Sequence, residues 1–366
     1  MGGGMGKVIA IKLLRLVPIV FLISLGTFFM LELVPGDPAA VVAGEHATEE
    51  QYQEIRTELG LDRPVLERYL DWLGGAVRGD FGESLVRPSG DVAELVLSRL
   101  PVTIEIALLA MVMSLVVAVP LGMWTAHRQG SLSDTVVSGS AFAAISVPSF
   151  LSALLLVFLA IFNVGILRAG IVAAGVALAV AIAVRGLRAA ADHGWEREQV
   201  TTLVRAGVVL VAFLLCAALL PEFPRQGFDR LTSGEGLFAN LRSAFLPALT
   251  LALIEGAVFM RVLRNDMIQT LQEDYVLAAH AKGMTTTHVL VRDALRPSSF
   301  SLVTVAGVTL GRLLGGTVIV ESIFGLPGVG RLLVQATVLV LALLYVVINT
   351  VVDLSYSYLD PRIRRA

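Results

Sequence analysis

Long apolar runs alternate with short polar segments along most of this chain. A helix needs about 20 mostly apolar residues to cross a membrane, because each residue rises about 1.5 Å through a hydrocarbon core of about 30 Å. The pattern therefore predicts an all-α polytopic membrane protein with about eight transmembrane helices. The runs lie near Ile11–Val34, Thr103–Ala126, Val136–Phe162, Ala169–Val184, Ala206–Leu220, Phe245–Val262, Phe300–Val320 and Thr337–Tyr358. The fourth and fifth runs are short, which leaves re-entrant or interfacial helices as alternatives to full spans.

The longest polar segment, residues 35–101, is predicted to form an acidic cap outside the membrane. Its acidic residues outnumber its six arginines. Thr48 and Gln51 fit the capping box of a helix that runs to Leu59, and Gly60 suits the end of that helix. A second short helix is predicted over Pro64–Trp72.

The distribution of lysine and arginine predicts how the chain crosses the membrane, because basic residues near membrane ends are retained on the cytoplasmic side. With the N-terminus inside and eight crossings, sixteen Lys and Arg residues fall in the inner segments and five in the short outer ones. Both termini are therefore predicted to be cytoplasmic. A cleaved signal peptide is the weaker alternative for the first run, since Pro35 and Gly36 follow it in place of a small-residue cleavage site.

Composition narrows the range of functions. Hydrophobic residues make up 56% of the chain and charged residues 16%, and the net charge of −2 offers no basic excess for nucleic acid. Cys216 is the single cysteine, which excludes a disulfide framework. The sequence has no metal-ligand spacing, catalytic motif or phosphate-binding loop. We therefore expect no catalytic residues, no metal and no bound cofactor in this chain.

The predicted inner loop between the sixth and seventh runs carries a distinctive segment. Residues 273–283 are predicted to form a short helix of small residues that ends at a glycine. Such a helix makes a compact knob that the groove of a partner can hold closely. An ordinary inner loop is the alternative that the residues alone leave open.

The stretch Glu273–Pro297 resembles the cytoplasmic coupling loop of ABC importer permeases. That loop has the pattern Glu-Ala-Ala, three residues, Gly; Ala278, Ala279 and Gly283 match it, whereas Leu277 stands where the pattern has Glu. Further segments resemble, in the same order, the first-permease type of the oligopeptide/dipeptide (peptide/nickel) ABC importer family. These segments are Leu33–Pro38, Leu59–Pro64, Gly79–Ser84, Leu100–Thr103, Ser146–Phe150, Leu246–Leu251, Glu321–Arg331 and Tyr358–Arg362.

The resemblance implies a type I ABC importer permease-like helical bundle in a bacterial cytoplasmic membrane, moving di- or oligopeptides by alternating access. It implies a translocation subunit rather than an enzyme, with ATP and Mg used by two separate cytoplasmic ATPase subunits. The other implied partners are a second homologous permease, an extracytoplasmic substrate-binding protein, the peptide substrate and the lipid bilayer. Import of nickel complexes or glutathione and an ATPase-independent secondary transporter remain as alternatives.

The resemblance also divides the chain into segments. Residues 1–34 form a tail and the first helix, 35–101 the cap, 102–162 the second and third helices, and 163–220 an inserted hairpin that family members usually lack. A core permease region with a coupling loop at 265–297 spans residues 221–358, and residues 359–366 form a cytoplasmic tail. An outer stretch that is usual in the family is missing near Gln335–Thr337.

Three groups of candidate site residues follow. The resemblance assigns ATPase coupling to Glu273, Asp274, Tyr275, Ala278, Ala279, Lys282 and Gly283. It places Asp37, Glu321 and Pro327 at the outer gate or cap. Glu255 and Arg312 are ionisable residues inside predicted spans, where charge is costly, so they are candidates for the translocation pathway or for a structural pair between helices.

Overall fold

The computed structural model describes residues 3–32, 37–44, 47–84, 90–193, 197–224, 227–230, 234, 236–332 and 347–348. The described residues form helices joined by turns and loops, with no β-strand beyond one isolated bridge between Glu83 and Asp91. They divide into two compact units, one of Met1–Val147 with Leu251–Ala366 and one of Pro148–Thr250.

The cap is built from short helices with strong end signals. Helix α1 spans Gly3–Glu32, α2 Pro38–Ala43, α3 Glu49–Glu58 and α4 Val65–Val77. The predicted capping box is present, since the Thr48 side chain accepts from the Gln51 amide and the Gln51 side chain accepts from the Thr48 amide. Gly60 has φ of +64°, a left-handed conformation that closes α3 without strain.

Helix α4 fastens the cap to α1. Tyr69 is fully buried, and its hydroxyl lies 2.9 Å from the Ser24 hydroxyl of α1. The rings of Phe28 and Trp72 pack around it, and Arg68 forms a 3.0 Å ion pair with Glu32. The buried Tyr69 hydroxyl has a hydrogen-bond partner and the Tyr69 ring packs against other aromatic rings, so burial of this side chain leaves no polar group unpaired.

Three long helices are apolar enough to cross a membrane. Helix α5 spans Val92–His127, α10 spans Leu237–Thr270, and α13 spans Leu295–Phe324 after the short helix α12 (Thr286–His288) and a π-helical turn. Helix α5 begins at Val92, within the segment that we assigned to the cap. It approaches α10 closely at Gly122, where an added Cβ would lie 3.1 Å from the Met260 carbonyl oxygen.

The run predicted as a single third span is two helices. Helix α6 spans Leu132–Ser146, and α7 spans Ser149–Val157 and continues as a π-helical turn to Phe162. The break falls at Val147, whose extended backbone (φ −89°, ψ 122°) is the conformation favoured before a proline. Pro148 supplies no backbone N–H to continue the helix.

The predicted hairpin lies within residues 163–220, and its helices are longer than the two apolar runs indicated. Helices α8 (Val164–His193) and α9 (Arg197–Ala218) pack along each other, with Gly175 lying against the Phe213 ring. Their apolar portions cover 25 and 19 residues, enough for full membrane spans. The short lengths that we expected for these runs are therefore wrong.

The described residues contain five helices long and apolar enough to cross a membrane, and α6 with α7 forms a sixth if the broken pair is one span. Helix α1 covers residues 11–32 of the first predicted run, with a shorter apolar stretch at Val17–Phe29. The eighth predicted run, Thr337–Tyr358, lies outside the described residues apart from 347–348, as does the departure near Gln335–Thr337. All seven runs within the described part are helical, one of them broken.

Candidate functional site

The predicted coupling segment is a helix standing on an apolar base. Helix α11 spans Asp274–Ala281 and begins after Glu273 at the N-cap position. Its buried side carries Val276 and Ala279, which pack against Val289 and Leu271. This small cluster holds α11 against the end of α10 and against the π-helical turn that leads into α13.

The rest of the surface of α11 is open. Tyr275 is 48% exposed and Leu277 57% exposed, and Ala278 and Lys282 are exposed beside them. Of the seven predicted coupling residues, Ala279 alone is buried. It therefore packs α11 against the rest of the protein and is not available to contact a partner. Gly283 ends the helix with φ of +79°, a conformation that other residues adopt only with strain.

Tyr275 has a perturbed hydroxyl on this open side. Partial burial raises its pKa above 10, and the negative charges of Glu273 and Asp293 add to the rise. The hydroxyl is therefore neutral at physiological pH. It can donate a hydrogen bond to a partner.

An ion pair that sequence reasoning missed links α6 to the C-terminal part of α10. Arg264 donates from Nε to Asp134 Oδ1 at 2.8 Å and from Nη2 to Oδ2 at 2.7 Å. The Asp134 carboxylate also accepts from the Gly130 amide and the Ser138 hydroxyl, and its side chain is only 6% exposed. Bidentate pairing of this kind fixes geometry as well as charge.

Two more contacts join the helices around this ion pair. The Arg261 guanidinium lies 4.0 Å from the centroid of the Phe142 ring on α6, a cation–π contact. The Ser298 hydroxyl at the start of α13 donates to Thr270 at the end of α10, at 2.9 Å. The end of α10, against which α11 packs, is therefore joined to α6 and α13.

Glu255 and Arg312, predicted as pathway candidates or a pair, do form an ion pair between α10 and α13. Arg312 Nη2 donates to both carboxylate oxygens, at 2.9 and 2.8 Å. The Glu255 side chain is 10% exposed, whereas that of Arg312 is 63% exposed. The pair thus combines a buried carboxylate with an exposed guanidinium.

Glu321 is buried near the end of α13 and accepts hydrogen bonds from two other segments. Its Oε1 accepts from the Thr103 hydroxyl of α5 at 2.6 Å, and its Oε2 accepts from the Gly330 amide at 2.8 Å. The Val329 amide in turn donates to Thr103 at 3.0 Å. The loop after Gly325 therefore folds back over the Glu321 carboxylate and closes the end of α13 against α5.

The residues predicted at the outer gate or cap lie in two places. Pro327 is half-buried in the loop over Glu321. Asp37 instead caps α2, accepting from the Ala39 amide at 2.9 Å, and it also accepts from the Tyr52 hydroxyl and from Arg56 at 3.2 Å. Tyr52, then the Ala39 amide, holds the Asp37 pKa below its ordinary value of 3.8. None of the Asp37 contacts in the described part of the chain reaches Glu321 or Pro327.

Comparisons with known proteins point to one family. The family described as "Binding-protein-dependent transport system inner membrane component" matches residues 118–365, and its N-terminal companion matches residues 5–107. A putative peptide transport system permease protein of Brucella abortus is 33% identical, over 96% of this chain and 97% of the relative. A di/tripeptide transport system permease protein of Pseudomonas aeruginosa is 34% identical (97% and 98% covered), and a dipeptide transport system permease protein of Escherichia coli is 31% identical (93% and 94%).

Proposed function

This chain belongs to the family of binding-protein-dependent transport system inner membrane components, and on that basis we propose that it is the permease subunit of an ATP-driven peptide importer. It is a multi-pass inner-membrane protein with the helical architecture of a type I ABC permease. Two cytoplasmic ATPase subunits use ATP and Mg, a binding protein delivers the substrate, and a second homologous permease completes the pathway. We choose peptides over nickel complexes or glutathione because the relatives are named for peptide, dipeptide and di/tripeptide transport.

The observation that carries the proposal is the geometry of α11. The exposed surface of α11 carries the aromatic Tyr275 and the apolar Leu277 on different sides of the helix, which suits a knob held between the walls of a groove on another protein. The buried Val276 and Ala279 fix the opposite face, so a force on α11 is not lost in local bending. We assign the exposed surface of α11 to the ATPase subunits, so α11 lies on the cytoplasmic side in this proposal; the lysine and arginine distribution supports the same side for both termini.

The contacts below α11 suit the transmission of that force. Helix α10 has 34 residues, about 50 Å at 1.5 Å per residue, and so extends beyond a hydrocarbon core of about 30 Å. The Asp134–Arg264 ion pair and the Ser298–Thr270 hydrogen bond join its extension to α6 and α13. When the ATPase subunits close, α6, α10 and α13 move together, and alternating access follows from whole helices whose backbone groups stay paired.

Substitution of Gly283 tests the docking role. A valine at this left-handed position strains the backbone that ends α11 and adds bulk beside the exposed face, so G283V is expected to abolish ATP-dependent peptide uptake. Gly44 has the same φ of +79° and similarly open surroundings, but it lies in the cap, so G44V is the matched control. Both variants should reach the membrane at wild-type levels. Normal uptake by G283V would refute the docking role.

A further inference from the structure

The exposed face of α13 differs from that of α5 in a way that lipid cannot explain. In the middle of α5, between Leu108 and Val117, the exposed side chains are apolar, among them Leu108, Val112 and Val116. On α13 apolar residues such as Phe300 and Val303 are also exposed, but six further exposed positions are spaced by three and four residues along one face and include a charged and two hydroxyl side chains. These six are Ser301, Thr304, Val308, Arg312, Gly315 and Ile319. We call these six residues the α13 stripe.

Arg312 shows what the α13 stripe faces. A charged side chain in the middle of a span is costly to expose to lipid, so such residues face water or protein. Arg312 occupies the centre of α13 with 63% of its side chain exposed. The α13 stripe therefore faces an aqueous cavity or another polypeptide, whereas the α5 face suits lipid.

The way Arg312 is held leaves donors for a ligand. Glu255 takes both bonds from the single nitrogen Nη2. The N–H groups of Nε and Nη1 have no hydrogen-bond partner among the described residues. Glu255 lies buried beneath the guanidinium, so it orients the group and offsets its charge without covering the open side.

The surroundings of Arg312 leave room for a chain to pass. Gly315 and Gly316 have no side chains, and a Cβ added at either would meet nothing within 4 Å. The space beside the helix, one turn beyond Arg312, is therefore open. The hydroxyls of Ser301 and Thr304 lie on the same face toward the start of the helix. A peptide main chain fits such a face better than a bulky apolar ligand does.

We propose that Arg312, held by Glu255, binds the terminal carboxylate of the peptide in transit. The proposal rests on the peptide-importer function above. A carboxylate is complementary to the open guanidinium donors, and every unmodified peptide has one whatever its side chains. Because Glu255 already offsets the positive charge, the site holds the carboxylate weakly enough for release, which a transport step requires.

Uptake of paired substrates by the complete importer in proteoliposomes tests the proposal. The same dipeptide is supplied as the free acid and as its C-terminal amide, and the ratio of the two uptake rates is compared between wild type and R312Q. The binding protein is identical in both, so a change in the ratio belongs to the permease. We expect R312Q to lower free-acid uptake on the order of tenfold, as for the loss of one charged hydrogen bond, with amide uptake little changed. R128Q, which removes an exposed arginine at the end of α5, should leave the ratio unchanged.

Accessibility provides a second, independent measurement. With Cys216, the single cysteine, replaced by serine, R312C gives one thiol at the site. A membrane-impermeant maleimide should label it in the assembled importer, because a residue that meets the peptide in transit must be reached by water. Absence of labelling, or equal loss of free-acid and amide uptake in R312Q, would overturn the proposal. Failure of wild type to import any peptide would instead refute the proposed function.

Discussion

Replacing Gly328 with alanine tests how the loop after α13 closes over Glu321. Gly328 has φ of −90° and ψ of 176°, an extended conformation that any residue adopts, so its backbone does not require glycine. The space does: a Cβ at this position would lie 2.5 Å from Glu321 Oε1 and closer still to the carboxylate carbon. Ordinary contacts begin near 3.4 Å, so the loop or the carboxylate must move by about 1 Å.

The expected loss of stability is large for a single methyl group. Overpacking in a dense core costs about 1–3 kcal/mol. Displacing the Glu321 carboxylate also weakens its bonds from Thr103 (2.6 Å) and Gly330 (2.8 Å), and hydrogen bonds to charged groups contribute about 1.5–3 kcal/mol each. We expect G328A to destabilise the protein by about 2–5 kcal/mol in total.

The assay is the thermal unfolding midpoint of the purified protein in mild detergent, compared among four variants. G328A should lower the midpoint by on the order of 5 °C or more. E321A should also lower it, because the Gly330 amide and the Thr103 hydroxyl lose their acceptor. In the double variant the methyl group meets no carboxylate, so adding G328A to E321A should cost less than about 0.5 kcal/mol more.

The reasoning has a clear point of failure. If the costs of G328A and E321A simply add, the methyl group does not act through the carboxylate and the proposed geometry of the loop is wrong. G139A is the matched control, since a Cβ at Gly139 in α6 meets nothing within 4 Å and alanine favours the helix. It should leave the midpoint unchanged or raise it slightly.

Two further predictions concern other parts of the chain. Reversing one charge of the α6–α10 ion pair (D134R or R264D) should abolish uptake, because each leaves a like-charged pair, and the double exchange should restore part of it; no recovery would mean that the two residues do not act as a pair. Asp37 has a lowered pKa, so its contribution to stability is complete above 3.8 and is lost as the pH falls through its lower folded value. Thermal midpoints of wild type and D37N measured from pH 7 to 3 should therefore converge at the acid end, and a constant difference would contradict the role of Asp37 as an ionised cap.

The break at Pro148 shows where local rules stop working. Pro101 and Pro120 lie inside α5, and Pro247 lies inside α10, without ending those helices. A proline in an apolar run therefore does not decide between a continuous helix and a break. Whether the helix continues depends on which neighbouring groups satisfy the freed backbone groups. The sequence of residues 136–162 does not show which helices lie beside it.

The candidate site was only partly predictable for a similar reason. The helix α11, predicted to serve in coupling, and the Gly283 at its end are local features, which the pattern of small residues and the glycine indicated. Ala279 is buried because it packs against Val289, which belongs to the π-helical turn after α12. This contact between two helical segments is not visible in the sequence of α11. The Asp134–Arg264 pair had no sequence signal, because an acidic residue near a helix start is equally typical of a capped surface helix.

The sequence alone determined the class of protein and most of its helices. An apolar run of about 20 residues in lipid must satisfy its own backbone hydrogen bonds, so its conformation is a local property that hydropathy reveals. Only the tertiary structure decided which polar groups meet. Asp134 pairs with a residue 130 positions away, and Thr103 with one 218 positions away. Such contacts depend on how helices pack and rotate against each other, and that arrangement depends on many weak contacts at once rather than on any short segment.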